Sequence, residues 1–187
     1  MPESHFLINQ YLIAMPGLAD QNFANTVTYV CEHSEDGALG IVVNRPSELH
    51  LSDLMRQMDL DPPANERFDP IIFHGGPMSP ERGFVLHPRE YEWEATIHVS
   101  GDVSVSSSRD ALISISRGDG PKDYLISLGY AGWGPGQLEQ EILSNAWLNV
   151  PAKTEIMFQT PATERWQAAA ALIGIDLDRL SSDAGHA

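Results

Sequence analysis

One cysteine, Cys31, stands in 187 residues, so no disulfide can form within the chain and packing must supply its stability. Lysine is almost as scarce. Lys122 and Lys153 are the only two, and with the arginines they make 11 basic residues against 26 acidic ones, a net charge of −15. A surface that negative repels a phosphate backbone. Arg45, Arg56, Arg67, Arg82, Arg89, Arg109, Arg117, Arg165 and Arg179 are scattered and form no basic stripe. Direct nucleic-acid binding is therefore not expected.

Long apolar runs are also missing. Phe6 to Ile8 and Tyr11 to Met15 are separated by Asn9 and Gln10, whereas a membrane span needs roughly 18 apolar residues. No basic stretch precedes them, so neither a signal peptide nor a membrane anchor is expected. The chain lacks a G-x-G-x-x-G fingerprint, a P-loop, a G-x-S-x-G elbow and any protease-type cysteine motif. Together these absences predict a reduced, soluble, cytoplasmic protein with no cofactor, and they argue against nucleophilic catalysis.

What is present reads as one domain, residues 1–187, long enough to bury about 70% of its unfolded surface. Thr26 to His33 and Ala38 to Asn44 are β-rich and flank Ser34 to Gly37, which has turn chemistry. Arg45-Pro46 ends that hairpin. A helix follows, with Ser52 as its N-cap and Leu54, Met55 and Met58 on its apolar face. Short strands are predicted before the Gly75-Gly76-Pro77 turn, over Arg82 to Pro88, and on both sides of Gly101-Asp102. The next helix is capped at Ser107 or Ser108 and stops near Gly118.

A strand then ends at Leu128 or Gly129, and a helix leaving Gly136 carries Leu138, Ile142, Leu143 and Trp147 at helical spacing. Glu155 to Phe158 reads as a strand. An Ala-rich helix follows, with Thr160 as N-cap and Pro161 in its first position. Strands first in hairpins, then strand–helix alternation, predict an α+β fold with a mixed sheet, a hairpin-rich N-terminal half and flanking helices.

The stretch from Gly129 to Ile142, GYAGWGPGQLEQEI, concentrates special residues. Gly129, Gly132, Gly134 and Gly136 permit positive φ and close backbone approach, and a helix N-terminus aims free N–H groups at whatever lies above it. No basic residue stands between Asp123 and Asn149, which disfavours a phosphate. Two readings remain. Tyr130 and Trp133 are aromatic plugs in a tight structural turn, or Trp133 walls a site for a neutral ligand or peptide, with Gln137 and Glu139 at the helix start.

Other candidates are dispersed. Cys31 and His33, two apart in a strand, share a face and offer a weak metal or redox pair; the plainer reading is a buried filler and a strand-end polar group. His74, Gly75 and Gly76 form one irregular turn. Arg82 precedes a strand that ends at His87, so His74 and His87 are acid–base candidates and Arg82 an anion clamp. Alternatively, all three are satisfied strand ends.

Several blocks, in order along nearly the whole chain, resemble the AlgH/YqgE family of bacterial cytoplasmic proteins. They are Met15 to Phe23 (M-P-x-L-x-D-x-x-F), C-E-H from Cys31, N-R-P from Asn44, H-G-G-P from His74, G-F-V-L-H from Gly83, G-Y-A-G-W-G-x-G-Q-L-E from Gly129 and the terminal Gly-His-Ala. The resemblance implies a single α+β domain. It also implies a reputed role in transcriptional regulation and no established enzyme activity. Its characteristic positions fall on Cys31, His33, Asn44, His74, Gly75, Gly76, Arg82, His87 and the run from Gly129 to Glu139. With this charge, a regulator would act through a small molecule or a protein partner. The alternatives are an enzyme using His74, His87 and Arg82, and an interaction protein without a pocket.

Overall fold

A computed structural model describes residues 6–184; the terminal Gly-His-Ala block lies outside the described residues. The chain runs β1 (Gln10–Ala14), β2 (Val27–Ser34), β3 (Gly37–Val42), β4 (Pro46–His50), α1 (Leu51–Gln57), β5 (Ile71–His74), β6 (Met78–Pro88), β7 (Thr96–His98), β8 (Val103–Ser106) and α2 (Arg109–Ser116). It continues through β9 (Leu125–Trp133), α3 (Gln137–Leu143), β10 (Trp147–Pro151), α4 (Thr154–Phe158), a 3-10 turn (Ala162–Glu164), α5 (Arg165–Ala171) and α6 (Leu177–Ala184).

The strands form a curled, mostly antiparallel sheet in the order β10-β1-β2-β3-β9-β6-β8-β7, and β5 joins β9 in parallel while pairing with β4 on its other side. The fold is α+β with a mixed sheet, as the order of patterns predicts. Alternation along each strand divides its side chains between layers. On β6, Phe84 and Leu86 enter the concave core, where Tyr11, Tyr29 and Ile41 meet Ile156, Met157 and Ala170 of the C-terminal helices. Val85 faces the other way and packs with Ile72 and Ile126 under α1 and α2, through Leu54, Met55, Leu112 and Ile115. A third cluster sets Leu138 of α3 on Leu12, Val30, Trp133 and Trp147.

Ser108 caps α2 in an extended conformation (φ −99°, ψ 154°), as predicted. The cap of α1 is His50, two residues before the expected Ser52, and the Asp53 carboxylate accepts from its main-chain N–H at 2.9 Å. Strand β1 has no polar alternation because four of its five residues are buried between neighbours.

Four expectations are corrected. First, β9 does not stop at Leu128 or Gly129; it continues to Trp133, with Ala131 and Trp133 buried and Gly132 exposed between them. Second, Trp147 is not on the helix of Leu138. Asn145 adopts φ 61° just after Ser144, a left-handed helix stop, so Leu143 is left 80% exposed and Trp147 begins β10. Third, Glu155 to Phe158 is helical, because its buried residues, Ile156 and Met157, are adjacent and need one side of a turn, not two faces of a strand. Finally, the Ala-rich helix begins at Arg165, after a 3-10 turn, and not at Pro161.

Candidate functional site

The two glycine-rich blocks meet where the sheet forks. On one edge of β9, β3 pairs with Ala131 to Trp133 and β5 pairs with Ser127 and Leu128. Between them the Gly75 N–H donates to the Leu128 carbonyl and the Val42 N–H donates to the Gly75 carbonyl, each at 2.8 Å. Backbones approach so closely here that a Cβ on Gly76 would lie 2.2 Å from the Tyr130 carbonyl carbon, and one on Gly129 would lie 2.4 Å from the Gly76 oxygen. Gly76 (φ 152°) and Gly129 (φ 78°) also hold left-handed backbone.

The aromatic residues of the stretch are plugs. Tyr130 meets Phe84 edge-on, with ring centroids 5.9 Å apart. Trp133 packs on Phe23 and Trp147, and Glu141 accepts from both indole N–H groups, at 3.3 and 3.2 Å. After the strand, the Gly134 N–H donates to the Gln137 side chain at 2.9 Å, and Gly136 supplies the positive φ (72°) that opens α3. Glu139 turns back to His33, with 2.5 Å between its Oε1 and Nε2.

That contact fixes His33. The Leu7 N–H donates to its Nδ1 at 2.9 Å, so the ring proton sits on Nε2 and is donated to Glu139. The Glu139 carboxyl is held below its ordinary range by its own main-chain N–H and then by His33, against the opposing effect of burial. Cys31, His33 and Trp133 all reach the walls of one cavity of about 570 Å³, but Cys31 and His33 have different partners. The β2–β3 register shifts between Val30 and Glu32, a β-bulge. Cys31 packs in the concave core, where burial pushes its thiol above the usual range. Among the described residues, no group of three or more His, Cys, Asp or Glu side chains is placed to hold a metal ion.

The remaining candidates lie apart. Asn44 accepts from the Val27 N–H and donates to the Asn25 carbonyl, each at 2.9 Å. Beside it, Arg45 grips the carbonyls of Gln21, Asn22 and Ala24. Exposed His74 shares a cavity of about 190 Å³ with Arg45 and Gly76. Arg82 lies over the Phe84 ring, 5.1 Å from its centroid, in a different cavity beside Cys31 and Thr96.

His87 is fully buried under Trp93. The Pro88 carbonyl can only accept, so Nδ1 carries the proton (2.9 Å) and Nε2 accepts from Ser106 (2.7 Å). Thr96 donates to Ser106 at 2.6 Å and accepts from the Trp93 N–H at 2.8 Å. Ser106 thus spends its one proton on His87, and both side chains are shut from solvent. The group is a buried strut joining β6, β8 and β7.

A more enclosed cavity involves none of the candidates named from sequence. It holds about 500 Å³ between α1, α2 and β6. Leu49, Leu54, Met58, Val85, Leu112 and Leu128 make its apolar walls, and Gln57, Glu81, Ser107 and Arg109 are polar groups at its edge. Arg109 is exposed, and its side chain makes no ion pair or hydrogen bond among the described residues. A volume of roughly 300–1,000 Å³ with apolar walls and a few polar groups is typical of small-molecule sites. Sequence reasoning assigned Ser107 and Ser108 to capping and passed over Arg109. No sequence signal marks Arg109, because its lack of a side-chain partner among the described residues is a property of the fold.

A family model described as AlgH-like matches residues 11–178. The chain is 54% identical to a UPF0301 protein of Methylococcus capsulatus over 98% of both chains, and 53% identical to a UPF0301 protein of Thioalkalivibrio sulfidiphilus over the whole of both. It is similar to the solution structure of the AlgH protein from Pseudomonas aeruginosa, with a TM-score of 0.82 and 48% identity, covering 100% of this chain and 99% of that one. A crystal structure of a protein from Corynebacterium diphtheriae, 19% identical with a TM-score of 0.74, covers 92% of this chain and 90% of its own and shares the fold. Among the described residues, no helix is long and apolar enough to cross a membrane.

Proposed function

The chain belongs to the AlgH-like family, and from that premise we propose that it is a cytoplasmic binding protein with a regulatory role. It takes a small amphipathic molecule into the pocket between α1 and α2 and acts through a protein partner, without gripping DNA itself. The observation that carries this reading is the pairing of an apolar cavity of about 500 Å³ with an arginine at its edge whose side chain has no partner among the described residues. A molecule with an aliphatic body and a carboxylate head suits both parts: the walls remove the chain from water, and Arg109 takes the head in a charge-assisted bond. A net charge of −15 supports the exclusion of DNA. Against the enzyme reading, His74, Arg82 and His87 stand at separate places in the fold.

Calorimetric titration with sodium decanoate tests the reading. The wild type binds, Arg109→Ala weakens binding about tenfold through the lost charge-assisted contact, and Leu112→Trp, which fills the cavity, removes it. Absence of binding to the wild type, or equal binding to Leu112→Trp, overturns the proposal.

A further inference from the structure

A second surface, separate from the α1–α2 pocket, lies along the free edge of β7. Among the described residues, this strand ends the sheet path and pairs only with β8. The Ser107 N–H donates to the Ala95 carbonyl at 3.0 Å and the Val99 N–H donates to the Val103 carbonyl at 2.9 Å. Odd-numbered residues therefore bond toward β8, and the main-chain groups of Thr96 and His98 point away from it. Between them Ile97 is 51% exposed, a large apolar side chain on an open edge.

Ile97 overlooks two adjoining cavities of about 570 and 300 Å³, and both are walled by Cys31, Glu32, Leu39 and Ile97. The gap lies between β7 and the β2–β3 hairpin, at a mouth left open by the curl of the sheet. Its charged walls are mostly acidic: Glu32 and Asp36 on the hairpin side, and Glu94 beside β7, where Glu92 also approaches His98 at 3.7 Å. Among the described residues, Arg82 is the one Lys or Arg in those walls.

We propose that this edge docks an extended basic segment of a partner protein, added as a strand to β7, with its apolar residues against Ile97 and Leu39 and its lysines or arginines toward Glu32, Asp36 and Glu94. Strand addition supplies main-chain bonds on a free edge, and alternate side chains supply specificity. Charge selects the occupant. A second copy of this chain brings its own −15 and the same acidic rim, so like charges would face each other across the junction.

The probe is a fluorescein-labelled octapeptide of alternating lysine and valine, read by anisotropy against the full chain. Binding is expected to weaken about tenfold in the Glu32→Lys/Glu94→Lys double variant and to be lost in Ile97→Asp, with an amide spectrum elsewhere like the wild type. Two further peptides separate strand pairing from simple attraction: one N-methylated on its valines, the other on its lysines. In a paired strand only one of these sets faces β7, so one peptide loses at least tenfold and the other binds. Equal binding of both methylated peptides, or of a peptide with four lysines followed by four valines, overturns the proposal. So does self-association through Ile97 in sedimentation. Failure here leaves decanoate binding untouched, because the two surfaces share only Ser106 and Ser107.

Discussion

Gly76 and Gly129 hold positive φ and leave no room for a Cβ, whereas Gly132 and Gly134 have their nearest neighbours at 3.5 and 3.8 Å and show no positive φ. Glycines within one motif therefore have different reasons to exist. Gly129→Ala is expected to cost more than about 4 kcal/mol, the range of severe single-site effects, while Gly132→Ala stays within about 1 kcal/mol; urea denaturation of the two variants checks this. Were the stretch a ligand cradle and not a fork, this ordering would have no cause. His87 makes a second residue-scale prediction. Burial holds its pKa below the ordinary 6.5, and its Nε2 already accepts from Ser106. Well above pH 6.5 the ring is neutral in both folded and unfolded chains. As pH falls below that, the unfolded chain takes up a proton that the folded one resists, so stability declines toward the lower folded value. Urea midpoints at pH 7.5 and 5.5 should show this loss in the wild type. In His87→Gln the loss should be smaller, from a lower starting stability.

Elements were legible where one face is buried and the other wet. The β2–β3 hairpin, the strands on both sides of Gly101-Asp102 and the Ser108 cap follow directly from pattern and turn chemistry. Pattern failed where both faces are covered, as in β1, and where the close approach of two strands, not a turn, demanded glycine, as in β9. It also failed at α3, because Leu138, Ile142 and Trp147 keep helical spacing across Asn145, whose left-handed backbone ends the helix. Helix α3 has seven residues and one buried side chain, so its seat depends on polar contacts. Removing the carboxylate in Glu139→Ala leaves the His33 Nε2–H without an acceptor in a side chain that is 1% exposed, at a cost of about 1–3 kcal/mol. Glu139→Gln retains an acceptor and should lose less than half as much. Equal losses in the two variants, measured by thermal unfolding, would show that the contact does not seat the helix.

Across the whole molecule, the blocks that carry the family resemblance are largely committed to holding the sheet together. Phe23 meets Trp133, Arg45 grips the loop before β2, and the glycines of the two rich stretches build the fork. Composition had set the class of the molecule and the sign of its surface, and the blocks located its structural centre. The proposed ligand site was not legible, because Leu49 and Leu54, Val85, Leu112 and Leu128 come from four separate stretches of the chain and each reads as ordinary core. Only the folded sheet brings them around one space with Arg109 at its edge. The central claim is that binding belongs to this space and that the glycine-rich stretch is structural. Its most direct test is an amide chemical-shift map of the isotope-labelled protein during titration with decanoate. Shifts are expected to centre on Leu54, Met58, Arg109 and Leu112, with Gly129 to Gly136 and His74 unmoved. Shifts centred on Gly129 to Gly136 and His74 would contradict the claim.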